Sequence, residues 1–357
     1  MSLSQSSRCE IWPVPPVPFT DTLEIDFDAL DGLTDFYQQS GVDGLFLLAL
    51  SGEGLEQTYH QCLAVCRHVV RRTAGRLRLV TGGNFRGDLL EQIGHINQLA
   101  ETGPDAVVIM LSTLPRRDRL VEDLLQIAQH TAEVTLPLYE CPYPEHRLLS
   151  ADDVRRLAET RRFVFMKETS RNRQQYRGKL EAAHGTPMKV FQANLGQLSG
   201  SLEDGCPGFC GIIANVCPRL TDAYCNDPGL SEPVRQKLHS TLSKILQLMT
   251  QRYYPASMKY LLSLQGLEIN TRSLMAGGET IDSEGKQRLR MAVEALGLWQ
   301  RPEDFLRELL SLATAEQHLS GPHSLKGPSA VRAAPTESQN QPTVVAKGNS
   351  SGNRSRP

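Results

Sequence analysis

Nowhere in the 357 residues does an apolar run approach the ~18 that cross a bilayer, and the opening MSLSQSSRCEIWPVPP has no basic segment leading into an apolar one. The chain is therefore expected to be soluble, unexported and cytoplasmic, with no membrane partner. Neither sign of charge prevails. Against 38 Lys and Arg stand 40 Asp and Glu, a formal net charge of −2, so no global field recruits nucleic acid. A small molecule is the default partner. Eight cysteines are too sparse for a disulfide framework in a chain of this length. Cys206, Cys210, Cys217 and Cys225 are separated by three, six and seven residues, and only the first gap matches a structural zinc knuckle. Ordinary buried thiols are the better reading. No G-x-G-x-x-G occurs, since Gly52-Glu53-Gly54 is followed by Gln57 where a third glycine belongs, and no P-loop occurs either. Nucleotide binding loses its main support.

What the chain does have is alternation. After the proline-rich 13–18, which suits an extended segment, helical patterns fall near 27–40, 56–73, 87–102, 118–133, 150–160, 171–184 and 196–204. Between them lie short apolar runs at 44–50, 76–82, 105–111, 134–140, 162–168, 188–193 and 208–214, and with an opening strand near 10–14 they make eight. This spacing implies βαβ units and a parallel sheet, and eight units point to a closed (β/α)8 TIM barrel over 1–229, with an open doubly wound sheet as the competitor. Further helical patterns at 230–250, 254–266, 281–297 and 302–316 exceed what a barrel needs, so 230–316 is expected to be a C-terminal helical extension packed on it. Residues 317–357 hold few large apolar side chains and are expected to be a disordered tail.

One apolar run ends on a lysine. Phe163-Val164-Phe165-Met166 reads as a buried strand, so Lys167 emerges where strand meets loop. Apolar neighbours desolvate an amine, disfavour the ammonium and free a lone pair to attack a carbonyl carbon. On this segment alone the plainer reading, a lysine that caps a strand and snorkels to water, is preferred. Its company changes that. In such a barrel the C-terminal strand ends share one face. The second strand ends at Leu50-Ser51-Gly52-Glu53, the fifth at Tyr139-Glu140-Cys141-Pro142, the sixth at Lys167-Glu168 and the eighth at Phe209-Cys210-Gly211. A hydroxyl, a phenol and an amine converge, which are the parts that imine chemistry on a keto acid requires.

The strand-six FMKET, strand-five YECPYP, strand-two SGEG and late GFCGIIANV, in that order, resemble the dihydrodipicolinate synthase / N-acetylneuraminate lyase family of class I, Schiff-base-forming aldolases and lyases. The resemblance runs from about Pro15 to Leu298 and includes YPASMKYLLSLQGL at 254–267, similar to the family's helix downstream of the barrel. It implies that Lys167 forms a Schiff base with pyruvate or another 2-oxo acid. Tyr139 would move the protons of carbinolamine formation and C–C cleavage. Ser51 would hold the substrate carboxylate through hydroxyl and backbone amide, and the Cys210 backbone would line the pocket. No metal or organic cofactor is implied, and the assembly would be a homotetramer or homodimer. An unmodified lysine has a pKa of about 10.4, so serving near neutrality demands the downward shift that apolar neighbours supply.

The departures matter as much. Leu50 stands where the family places the first of two adjacent hydroxyl residues, and Ser112 aligns with a second tyrosine of the proton relay. Pro144 occupies the position of an arginine that binds the synthase's second substrate, and Gln192-Ala193-Asn194-Leu195 lacks the usual Gly-Asp pair. Authentic dihydrodipicolinate synthase is therefore disfavoured. Arg116, Arg117 and Arg119 could meet a second carboxylate or a sugar-acid tail, although a solvated basic loop is the blander reading, and His146 and Arg147 are weaker candidates. Glu53 and Glu168 could be acid/base carboxylates, but Glu53 is better read as stabilising its loop or the N-terminus of the next helix. The nine histidines form no H-x-x-x-H or H-E-x-x-H, which argues against a metal-dependent aldolase. The expected activity is that of a lyase catalysing aldol cleavage, condensation or dehydration. The alternative, prompted by Leu50 and Ser112, is a catalytically impaired barrel that binds or senses a small molecule.

Overall fold

A computed structural model of the protein describes residues 8–131, 133–250, 253–275 and 280–296. The helix expected at 302–316 and the expected tail at 317–357 lie outside these residues. Eight strands alternate with helices in chain order: β1 Glu10–Ile11, α1 Phe27–Gln39, β2 Gly44–Leu47, α2 Tyr59–Thr73, β3 Arg78–Gly82, α3 Leu89–Ala100, β4 Ala106–Met110, α4 Leu120–His130, β5 Leu138–Tyr139, α5 Ala151–Glu159, β6 Phe165–Glu168, α6 Arg173–Ala183, β7 Lys189–Gln192, α7 Leu195–Glu203, β8 Gly208–Phe209 and α8 Pro218–Asn226. Every ladder is parallel, and the order β1-β8-β7-β6-β5-β4-β3-β2 follows the chain around a ring.

The helices start where side chains can accept orphan backbone N–H groups. Reciprocal capping boxes open α2 (Thr58 with Gln61), α3 (Asp88 with Glu91) and α5 (Ser150 with Asp153). Asp26 caps α1 and Asn172 caps α6. The ring is least regular at the β1/β2 seam. There the opening strand is shorter than expected, because Pro13, Pro15, Pro16 and Pro18 have no N–H to give to a ladder. Single bonds bridge the gap instead: Asp43 N to Ile11 O at 3.0 Å, Phe46 N to Pro13 O at 2.9 Å, and Ile11 N to the Asp43 carboxylate at 2.8 Å.

Strand parity divides the core in two. Trp12, Phe46, Val80, Val108, Tyr139, Phe165 and Phe191 form one cluster that fills the ring, with Phe165 stacked on Phe191 at 5.0 Å between centroids. Their neighbours Leu138, Met166 and Val190 belong to the larger cluster beneath the helices. Gly208 admits Phe191 to the barrel floor, since a Cβ there would lie 2.5 Å from its ring. Beyond α8, helices α9 Glu232–Met249, α10 Ala256–Ser263 and α11 Ser283–Ala295 join the same core through Leu242, Ile245, Met258, Leu261 and Val293. Among the described residues no helix is long and apolar enough to cross a membrane.

Candidate active site

The register of β5 against β6 sets the centre. Tyr139 pairs with Lys167 across adjacent parallel strands, so both side chains point the same way, into the barrel at its C-terminal end. Lys167 is 4 % exposed, and its Nζ lies 4.6 Å from the Tyr139 ring centroid and 5.5 Å from that of Phe46. No carboxylate or hydrogen-bond acceptor contacts that nitrogen among the described residues. Burial therefore pushes the Lys167 amine below the usual lysine range, opposed only in part by the nearby Cys210 and Cys141 thiols. Burial likewise holds the Tyr139 phenol well above its ordinary value, so it stands protonated beside the amine.

Both side chains open into a cavity of 810 Å³ whose wall also includes Leu50, Ser51 and Cys210. The five residues singled out in the sequence are thus neighbours in space. Ser51 sits in a tight turn after β2, flanked by left-handed Leu48 and Glu53, where a Cβ on Gly54 would come within 2.3 Å of the Leu48 carbonyl oxygen. Its hydroxyl does not face the cavity as a free donor. Ser51 Oγ donates to Val14 O at 2.6 Å, which leaves the N–H groups of Leu50 and Ser51, unbonded among the described residues, as the donors this turn offers. Val14 is itself held by Asn215, whose amide oxygen accepts from Val14 N at 2.6 Å and whose amide nitrogen donates to Val14 O at 2.8 Å.

A residue that the sequence did not flag completes the wall. Tyr254, just ahead of α10, lines the cavity beside Ser51, and its phenol is pushed up by burial while Ser51 partly offsets the shift. Tyr139, Cys141 and Tyr254 influence one another's ionisation, which places them in one cluster. Ser112, where a relay tyrosine was sought, is 4 % exposed with its hydroxyl close to the Cys141 thiol.

These features, a buried unpaired lysine facing a tyrosine across a (β/α)8 strand pair, agree with what sequence comparison finds independently. A profile of the Dihydrodipicolinate synthetase family matches residues 9–296. The chain belongs to that family. Among curated relatives, 4-hydroxy-tetrahydrodipicolinate synthase of Acaryochloris marina is 25% identical over 260 residues, covering 72% of this chain and 88% of the relative. Among solved structures, YagE, a prophage protein of E. coli K12 belonging to the dihydrodipicolinic acid synthase family and crystallised in complex with pyruvate, superimposes with a TM-score of 0.73 at 21% identity, over 83% of this chain and 100% of that one. Dihydrodipicolinate synthase from Aquifex aeolicus gives 0.71 at 18% identity, over 82% and 99%. At these identities the superpositions establish the shared fold.

Within this member of the Dihydrodipicolinate synthetase family, the expected cations of the loop after β4 are spent elsewhere. Arg116 Nε donates to the buried Asp123 carboxylate at 2.5 Å and Arg117 pairs with Glu145 at 2.5 Å. Arg147 donates to Leu114 O at 2.6 Å and pairs with Glu145. None of these, nor Arg119, lines the cavity, whereas His146 does, together with Arg171. The two glutamates also face away. Glu53 accepts from Lys259 Nζ at 2.7 Å and from Ser273 Oγ at 2.8 Å, tying the β2 turn to α10 rather than capping the next helix. Glu168 shares Lys179 with Glu140, at 3.0 and 2.6 Å, on the outer side of the barrel wall. Among the described residues no cluster of His, Cys, Asp and Glu is arranged to hold a metal.

Proposed function

We propose that the protein is a Schiff-base-forming lyase or aldolase acting on pyruvate or another 2-oxo acid. The observation that carries the reading is the pairing of Tyr139 with Lys167 inside the barrel, with the lysine buried and, among the described residues, not paired with any acid. The Lys167 amine attacks C2 of the keto acid, one nitrogen proton passes by way of Tyr139 to the carbonyl oxygen to give a neutral carbinolamine, and one further proton, delivered from solvent through the same phenol, expels that oxygen as water and leaves a cationic imine. Tyr139 is the proton source, since its phenol is neutral before reaction. The positive charge of the imine then stabilises the phenolate a few ångströms away, so the same group can take the proton back. Cleavage of the C3–C4 bond sends its electrons toward the imine nitrogen as an enamine, while a C4 hydroxyl gives up its proton and becomes a carbonyl. Condensation is the reverse, and dehydration at C4 uses the same electron sink. The N–H groups of Leu50 and Ser51 hold the C1 carboxylate, and the Ser51 hydroxyl, bonded to Val14, fixes the turn that presents them.

Leu50 carries no hydroxyl, which favours a second reading as a binding barrel with impaired chemistry. Tyr254 answers it: a phenol from the C-terminal segment stands beside Ser51, where it can relay protons between Tyr139 and solvent. Lysine-biosynthetic synthase activity is disfavoured by Pro144 and by the Gln192-Ala193-Asn194 end of β7. The test is borohydride reduction with pyruvate followed by intact mass. A covalent adduct lost in Lys167→Ala supports the lyase, and no adduct across a panel of 2-oxo acids supports the binding barrel.

A further inference from the structure

We propose that Arg171 and His146 form a distal anion subsite, so that the preferred 2-oxo acid carries a second anionic group, carboxylate or phosphate, at its far end. The proposal deepens the Schiff-base reading and rests on it for the position of the near end. Three side chains with basic nitrogens line the cavity, Lys167, His146 and Arg171, and among the described residues no carboxylate does; burial lowers the pKa of the first two, so Arg171 is the fixed cation and His146 a neutral donor beside it. Glu140 and Glu168 lie behind the wall with Lys179, so nothing negative inside offsets these groups. Arg116, Arg117, Arg147 and Arg173 are committed, the first to Asp123, the next two to Glu145 and the last to Asp204, and Arg119 does not line the cavity. Arg171, which does, has no ion pair or hydrogen bond among the described residues.

Its backbone is unusual as well. Arg171 has φ of +58°, a left-handed conformation that a residue with a Cβ rarely keeps without surrounding constraint. The constraint is visible. Thr169 N donates to Glu140 Oε2 at 3.2 Å, Ser170 N to Glu168 Oε1 at 3.0 Å and Asn172 N to Ser170 Oγ at 3.2 Å, so the loop leaving β6 is pinned on both sides of the arginine. His146 is pinned too. Thr169 gives its one hydroxyl proton to Glu140 O at 2.5 Å and must accept in its 2.8 Å bond to His146, so His146 Nε2 is the donor there and its ring is oriented. A guanidinium and an imidazole are thus held at the mouth on the two loops that follow β5 and β6, with no anionic acceptor for them among the described residues that line the cavity. A guanidinium fork matches a carboxylate or phosphate in two parallel hydrogen bonds. A three-carbon keto acid at Lys167 would leave most of 810 Å³ unfilled, whereas a longer acid reaches outward.

The test compares affinities of 2-oxoglutarate and 2-oxopentanoate, which differ at the far end by carboxylate against methyl, with 2-oxo-4-phosphonobutanoate to separate phosphate from carboxylate. The wild type should bind at least one of the anionic acids about 10- to 100-fold more tightly than the neutral one. In Arg171→Gln that ratio should fall toward one, and Arg171→Lys should restore part of it, because the charge returns without the fork. Equal affinity of the wild type for all three acids, or a preference that survives Arg171→Gln combined with His146→Gln, overturns the subsite. Failure of the underlying reading looks different: no borohydride-trapped pyruvate on Lys167. An adduct with no anionic preference sinks the subsite alone.

Discussion

The two faces of one strand pair treat a buried lysine in opposite ways. On the inner face of β5 and β6, Lys167 has a phenol and a phenyl ring for company and no counter-ion among the described residues. One residue further on, parity turns Glu140 and Glu168 outward, where they share Lys179 from α6 at 2.6 and 3.0 Å. Glu140 is pushed above the usual carboxylate range by burial, only partly offset by Lys179. Depth alone does not separate reactive from structural: Lys259 is also buried and its amine also lowered, yet it is bonded to Glu53 and to Arg272 O at 2.6 Å. What marks Lys167 is that, among the described residues, no carboxylate or hydrogen-bond acceptor holds its charge or its lone pair, only ring faces and thiols. The outer cluster in turn gives the inner face its rigidity, because its carboxylates grip the Thr169 and Ser170 backbones that leave β6.

If that contrast is right, substitutions on the two faces fail in different ways. Lys167→Ala should abolish the adduct and lower turnover on the order of 10⁵–10⁶-fold, as loss of a covalent nucleophile does, while leaving stability intact or improved. A chemical denaturation curve beside the kinetics checks both halves. Tyr139→Phe should cost about 10²–10⁴ in kcat with little change in substrate binding, since proton transfer belongs to the transition state. Lys179→Met should do the reverse, removing about 3–5 kcal/mol of stability by stranding two buried carboxylates, while the folded fraction still forms the adduct. Equal losses of stability in Lys167→Ala and Lys179→Met would erase the distinction between the faces.

The pH dependence sharpens the same comparison. A lysine whose folded pKa lies below its unfolded value releases its proton more readily when folded. The unfolded state then binds more protons across the window between the lowered pKa and about 10.5, and stability rises with pH there. Removing Lys167 removes its part of that slope. The stability advantage of Lys167→Met over the wild type should be largest near neutrality and shrink as pH climbs toward the ordinary lysine value, followed by urea midpoints across the alkaline range. A gap independent of pH would mean that Lys167 keeps its proton in the folded protein.

Much of this was open to reading from the chain, for a physical reason. Buried parallel strands leave short apolar runs, and the residue ending a run falls on the rim, so Lys167, Tyr139, Ser51 and Cys210 were legible as a group before any coordinates. The proline-rich 13–18 announced an extended segment, but not that it would reduce β1 to two residues and shift the seam onto Asp43 and Phe46. Side-chain partners across elements were not legible. Arg116 and Arg117 looked available because Asp123 and Glu145, which neutralise them, are brought close only by folding, and Arg171 passed unremarked because what sets it apart is that no such partner reaches it among the described residues. Lys179 sits on a helix face with no local sign that two strand carboxylates wait beneath it.

Tyr254 was hidden for the same reason, since it reaches the cavity from beyond the barrel, and it supplies the smallest of the expected effects. Its contribution is relay and not nucleophilicity, so Tyr254→Phe should still give the borohydride adduct but slow multiple turnover by about 10-fold, at the low end for one proton-transfer partner. The loss should appear mainly in kcat, because the ring that fills the cavity wall is retained. Solvent deuterium should slow the variant more than the wild type if proton delivery to Tyr139 has become limiting. Were adduct formation itself to collapse in Tyr254→Phe, the phenol would be organising the Ser51 turn through its neighbouring hydroxyl, and the route for protons would have to run through Cys141 and Ser112 instead.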